Sequence, residues 1–296
     1  QECAVCHRPG EAAPFSLTTY DQARAKGGAI AEVAEDGKMP PWYAASFHGK
    51  FANERKLTDA ERSLIRRWVR GGMLKGDDGL IAKLPKVEVR KEEWRIGTPD
   101  QILGTTTFEI PAEGDVDYKY VVLPDIFAKE TWIGEIEILP DNPKVVHHCN
   151  MFYVAVGRKI DANNFITGLV PGAEPMRLPE GVAVRLPAAS MLGLQIHFVA
   201  TGKPETCKIR VGLKYSRGVV RKQLRFHLFD GGRFAIPPEE PALSLKRSVT
   251  LDRDAIGIGM FCHMHLRGKA MVFRAEPPGG KVETLLMVPN YHFDWQ

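Results

Sequence analysis

The hydrophobic period changes once along the chain, and the change divides it. Over residues 19–35 an Ala-rich run returns apolar residues at helical intervals, which predicts a helix. Thr58-Asp59-Ala60-Glu61 is a capping box; it opens a second helical run through Trp68 and Val69 that Gly71-Gly72 ends. From Trp94 the texture becomes β-prone. Short runs recur at 105–110, 118–123, 132–139, 145–156, 192–199, 209–215, 248–251, 256–261, 270–275 and 284–288, punctuated by Pro and Gly. This spacing predicts antiparallel β-sandwich architecture. Gly71 to Pro85 is rich in Gly, Asp and Lys and reads as a linker, while Pro237-Pro238 with Pro241 makes a stiff break between two β units.

The expected fold is therefore multidomain. A small all-α domain occupies 1–78, a linker 79–97, a first β-sandwich 98–237, and part of a second sandwich 238–296. A length of 296 residues fits two or three domains at roughly 100–200 residues each. With 40 Lys+Arg against 36 Asp+Glu and no run of five or six basic residues, nucleic acid is not an expected partner. No apolar run approaches 18 residues, so no segment is expected to span a bilayer. The chain opens at Gln1 without an initiator Met, which predicts processing or trimming ahead of it.

Placement makes the five cysteines informative. Cys3-Ala4-Val5-Cys6-His7 is C-x-x-C-H, the signature of covalent haem c attachment. Two thiols add across the porphyrin vinyl groups, and the adjacent His supplies an axial iron ligand. On a helical turn both sulfurs and the imidazole face one side. Met39, in Gly37-Lys38-Met39-Pro40-Pro41-Trp42, is the candidate sixth ligand, because two prolines hold that loop extended. A zinc site would need further Cys or His nearby, and the next cysteine is Cys149. The first 75 or so residues resemble a small c-type cytochrome domain.

The histidines cluster in three β-like runs. They are His147-His148 after Val145-Val146, His197 within Leu194-Gln195-Ile196-His197-Phe198, and His263-Met264-His265 after Phe261-Cys262. Along a strand His263 and His265 project the same way and can grip one ion. Adjacent His147 and His148 point to opposite faces unless the strand bends, and the turn Asp141-Asn142-Pro143 just upstream makes a bend reasonable. An imidazole set without thiolate suits copper or zinc.

In order and context these three motifs resemble the copper type II ascorbate-dependent monooxygenase family. The likeness is to its peptidylglycine α-hydroxylating monooxygenase-like module, here behind a bacterial cytochrome c domain. His7-Arg8-Pro9-Gly10-Glu11, Met39-Pro40-Pro41-Trp42 and Tyr291-His292-Phe293-Asp294-Trp295-Gln296 carry the same flavour. The resemblance implies an electron-transfer copper on His147, His148 and His197. It implies a second, oxygen-activating copper on His263 and His265 with a later Met. Met264 and Met271 do not occupy that Met's place, and Cys262 beside the pair is a departure from the pattern.

The expected function is an exported protein, periplasmic or extracellular because covalent haem c is assembled outside the cytoplasm. It passes electrons from haem to copper for O2-dependent hydroxylation, with a redox partner protein. The alternative is a non-catalytic electron-transfer or structural subunit of a larger assembly. Cys149 with Cys207 is the expected disulfide if these thiols pair, since the strands bearing His148 and His197 must meet.

Overall fold

A computed structural model describes residues 2–81, 93–229, 232–293 and 295; most of the expected linker, along with Asp294 and Gln296, lies outside them. Four short helices come first: α1 (Tyr20–Ala25), α2 (Gly27–Glu35), α3 (Asp59–Arg70) and α4 (Asp78–Ile81). Fourteen strands follow among the described residues: β1 (Gln101–Gly104), β2 (Phe108–Ile110), β3 (Lys119–Val122), β4 (Thr131–Pro140), β5 (Val146–Ala155), β6 (Phe165–Leu169), β7 (Met176–Arg177), β8 (Val182–Leu186), β9 (Ser190–Phe198), β10 (Glu205–Cys207), β11 (Ile209–Tyr215), β12 (Lys222–Leu224), β13 (Met271–Ala275) and β14 (Glu283–Val288).

The expected small all-α cytochrome domain is not evident, and this overturns that part of the predicted fold class. The helical run over 19–35 breaks at Lys26, just before the poor helix formers Gly27-Gly28. A helical domain is stable only when apolar stripes face one another. Here α1 and α3 bury no residue, α2 buries only Gly27 and Ala34, and Leu64 of α3 is 59% exposed. The capping boxes are present at Thr19 and Thr58, so local signals shape the helix ends without producing a helical core.

The β-rich part carries the core. One sheet runs β1-β11-β4-β8-β12, with β7 also on β4; a second runs β3-β9-β5-β6. Leu213, Ile136 and Leu186 of the first and Met151, Leu194 and Ile196 of the second close into one buried cluster. Strict alternation produces it: on β9 Leu192, Leu194, Ile196 and Phe198 face inward, all at most 1% exposed. The expected antiparallel pattern holds except where β12 pairs parallel with β8. The runs at 248–251 and 256–261 form no strand. Val249, Leu251, Ile256 and Ile258 are exposed there, and alternation without a neighbouring strand gives no ladder.

The C-terminal hairpin β13–β14 packs against the N-terminal segment. Ala45 N–H donates to the Met287 carbonyl (2.8 Å), and Ala44, Cys262, Leu286 and Val288 share a small core with Trp42 and Phe51. No described helix is long and apolar enough to cross a membrane.

A buried carboxylate anchors the chain where it enters the sandwich. Glu137 on β4 is 1% exposed and accepts from Arg95 Nε (3.1 Å) and from the Ile96 N–H (3.1 Å). Next to it the Trp94 ring lies on Gly212 of β11, where a Cβ would stand 2.7 Å from the indole, so only glycine fits. Glu137→Ala is expected to destabilise the protein by about 2 kcal/mol, because it leaves the buried Ile96 N–H without its acceptor and removes one charged partner from the part-buried Arg95. Glu137→Gln should recover part of that loss in urea melts, since its amide carbonyl still accepts.

Candidate metal centre

The site forms on the outer face of the β3-β9-β5-β6 sheet, and a register break makes it possible. On β5, Cys149 and Met151 are fully buried in the core, so by alternation His148 and Asn150 face outward. His148 lies directly opposite His197 of β9, and Asn150 opposite Gln195, to which it donates (3.1 Å). Plain alternation would turn His147 inward beside Cys149. Instead the register shifts between Val146 and His148, leaving His147 as the extra residue of a bulge. The bend lets neighbouring histidines serve one face.

Ligand atoms of His147, His148 and His197 all lie within 4.8 Å of one another. The Nδ1 atoms of His147 and His148 are 3.1 Å apart, and His197 Nδ1 is buried with no hydrogen-bond partner. An orphaned buried nitrogen is costly unless something binds it, and one nitrogen of this ring converges with those of His147 and His148. Nitrogens on one ion at about 2.0–2.1 Å stand at most about 4.2 Å apart, so a small ring rotation completes the set. These three residues could hold a metal ion.

The C-terminal segment brings the other histidine pair to the same place. The His263 ring lies 5.4 Å from His148 and 5.2 Å from His265. Five imidazoles therefore adjoin in one chain, His197 and His147 at one end and exposed His265 at the other. Tyr291 clamps the intervening loop: its hydroxyl accepts from Met264 N–H (3.1 Å) and donates to the Met264 carbonyl (2.7 Å). Among the described residues only the first three make a set of three or more convergent donors.

Burial sets the charge state. It drives the His148 pKa from 6.5 down to about 3, helped by the neighbouring His263, His147 and His197, and it lowers His197 in the same way. Both rings are neutral at pH 7, the form that binds a metal. Aromatic rings lock two of the imidazoles. Tyr118 stacks on His197 (4.6 Å between centroids) and Phe293 on His147 (4.5 Å). Sequence reasoning missed both roles. Phe293 stands in a motif that carried the resemblance, whereas Tyr118 has no local signal beyond its β-prone run.

At the N-terminus Cys3, Cys6 and His7 lie on one turn, with His7 N–H donating to the Cys3 carbonyl (2.9 Å). His7 Nδ1 is 3.1 Å from the Phe15 carbonyl, which orients the imidazole and leaves Nε2 for a ligand role. Burial raises the pKa of both thiols, and for Cys6 the charges of Arg55, Arg8 and Arg95 act against that rise. Met39 stands in the loop after α2, 44% exposed, while the contacts that hold His7 come from Phe15 and Leu17. Cys149, Cys207 and Cys262 are buried free thiols, so the expected disulfide is not formed in this structure. Burial pushes the Cys207 thiol up to about 12 and Cys262 to about 11. His48, His227 and His292 stay outside the five-imidazole chain; His292 stacks on Tyr43.

No protein-family model matches the chain, and no curated protein matches it either.

The His148 shift has a stability consequence in the metal-free protein. Unfolded His148 takes up a proton near pH 6.5 and folded His148 only near 3, so the unfolded state binds more protons between those values. The contribution is complete above about pH 6.5 and is lost as pH falls towards 3. Urea midpoints in the presence of EDTA should therefore drop from pH 7 to pH 4, and His148→Phe, which cannot titrate, should show a shallower slope.

Proposed function

We propose that the protein is an exported redox metalloprotein that holds copper on His147, His148 and His197 and a covalent haem on Cys3, Cys6 and His7. The reaction proposed is hydroxylation of a C–H bond with O2. The observation that carries this reading is the convergence of one nitrogen from each of three imidazoles on one sheet face, the His197 ring also carrying a buried Nδ1 with no hydrogen-bond partner. The donor set is all nitrogen, and burial keeps His148 and His197 neutral. The nearest thiol in the chain, Cys149, points into the opposite core, so the site lacks the thiolate of most structural zinc centres.

Copper, when bound, supplies one-electron chemistry towards oxygen, and haem supplies the electrons. The chain's own part is positional. The β5 bulge aims His147, Tyr118 and Phe293 stack the outer rings in place, and Tyr291 holds the His263–His265 loop beside His148. At the N-terminus the Phe15 carbonyl fixes the His7 ring so that its Nε2 faces away from that hydrogen bond. Export follows from the haem, because thioether attachment is made outside the cytoplasm.

One observation favours a second reading, a non-catalytic electron-transfer subunit with a redox partner. His263 abuts His148, so the second histidine pair extends the first cluster instead of standing apart as a separate oxygen site.

Copper titration followed by EPR tests the centre. About one tightly held Cu(II) per chain, with nitrogen hyperfine structure, is expected. His148→Ala with His197→Ala should weaken it by about 100-fold or more, since loss of even an outer-shell partner costs about 10–100-fold. A protein that binds zinc but no copper would sink the proposal. Oxygen uptake with a reductant separates the two readings: His263→Ala abolishes it in the enzyme, and the subunit shows none to abolish. The haem is checked independently, since Cys3→Ala with Cys6→Ala should remove an α-band that otherwise survives acid-acetone extraction.

A further inference from the structure

The histidine centre is largely enclosed. His148 is 1% exposed and His147 8%. Tyr118 covers the His197 ring, Phe293 covers His147, and His263 stands against His148. Of the five adjoining imidazoles His265 alone is exposed, and His263 is half-buried between it and His148. Ring centroids along the line His265, His263, His148, His147 are 5.2, 5.4 and 5.2 Å apart. Exposure therefore falls along the line while the spacing stays even. The backbone fixes the two outer rings. The Tyr291 hydroxyl bonds both the N–H and the carbonyl of Met264, so the histidines on either side are held together. Just beyond them the Gly268 N–H donates to the His265 carbonyl (2.8 Å), and a Cβ on Gly268 would stand 2.5 Å from the Met264 Cβ. Only glycine lets this turn close so tightly beside the centre.

We infer that His265 and His263 are the loading path of the centre: His265 captures a divalent copper ion at the surface, and His263 passes it inward to His148. This path deepens the copper reading given above and rests on it; the resemblance instead gave the pair a second copper of its own. Among the described residues only His147, His148 and His197 offer three convergent donors. Two imidazoles at the surface hold an ion more weakly than three inside, and that difference sets the direction of travel. Each transfer is a ligand exchange. One nitrogen–copper bond forms as another breaks, no electron moves, and the waters that came with the ion return to solvent.

The test follows the rate at which the full chain, first freed of metal, takes up copper. Cu(II) chloride is added, samples are quenched at intervals with excess EDTA, and the copper retained after gel filtration is measured. His265→Ala and His265→Gln each remove the exposed imidazole, and His227→Ala removes an exposed imidazole outside the chain of five. Both His265 variants should reach the wild-type copper content at least about tenfold more slowly, because losing even a supporting group costs about 10–100-fold in metal affinity and capture falls in proportion. His227→Ala should load at the wild-type rate. Wild-type rates in the His265 variants, or equal slowing in His227→Ala, overturn the path. A lower final copper content in the His265 variants overturns it as well, because the pair would then hold copper of its own. No retained copper in the wild type overturns the centre itself. Should one His265 variant fail to fold, the other decides.

Discussion

The antiparallel pairing of β5 with β9, interrupted by one extra residue at His147, is the constraint on which the rest of the molecule depends. A regular ladder between the same strands would keep His148 opposite His197 but turn His147 into the core beside Cys149. The bulge changes the facing of one residue and leaves Cys149, Met151, Leu194 and Ile196 in the shared core. A three-nitrogen site is thus mounted on a wall whose other side is fully packed, and the wall cannot shift without opening the core.

What covers that wall comes from distant chain. Residues 261–265 and Phe293 lie over the outer face, and the clamp from Tyr291 to Met264 joins the two stretches. The hairpin β13–β14 that precedes Tyr291 is itself held by Ala44, Trp42 and Phe51 of the N-terminal segment. Another tie crosses from Arg55 to Glu174, which Arg95 also reaches. N-terminal turn, sandwich and C-terminal segment are therefore mechanically linked around the histidines. An isolated exposed pair such as Arg55–Glu174 contributes little by itself. Glu137, buried and doubly bonded, contributes more because its loss leaves the buried Ile96 N–H without an acceptor.

Legibility varied with the range of the signal. The capping box at Thr58, the strand runs that became β4, β5, β9 and β11, and the HxH and CxxCH spacings are local, and all could be read directly. Strands β1, β6, β7, β8, β10 and β12 were not foreseen, being short or mixed in composition. The runs at 248–251 and 256–261 show the opposite failure, since alternation specifies which residues share a face but supplies no partner for the ladder. The all-α domain failed for a related reason. Helical periodicity in α3 marks a stripe that could be buried, and the aromatic residues that follow α2 pack on the hairpin instead.

By itself the sequence determined the chemistry available: two thiols and an imidazole on one N-terminal turn, and five histidines in three β-prone runs with no thiolate ligand among them. These are matters of residue type and short spacing, which the covalent chain enforces. Only the tertiary structure decided that His147 faces out, that His263 meets His148, that Tyr118 and Phe293 stack on His197 and His147, and that Cys6 rests on Gly172. Each of these depends on strand register or on segments dozens of residues apart. Such contacts are selected by how the whole core closes, and no local pattern encodes them.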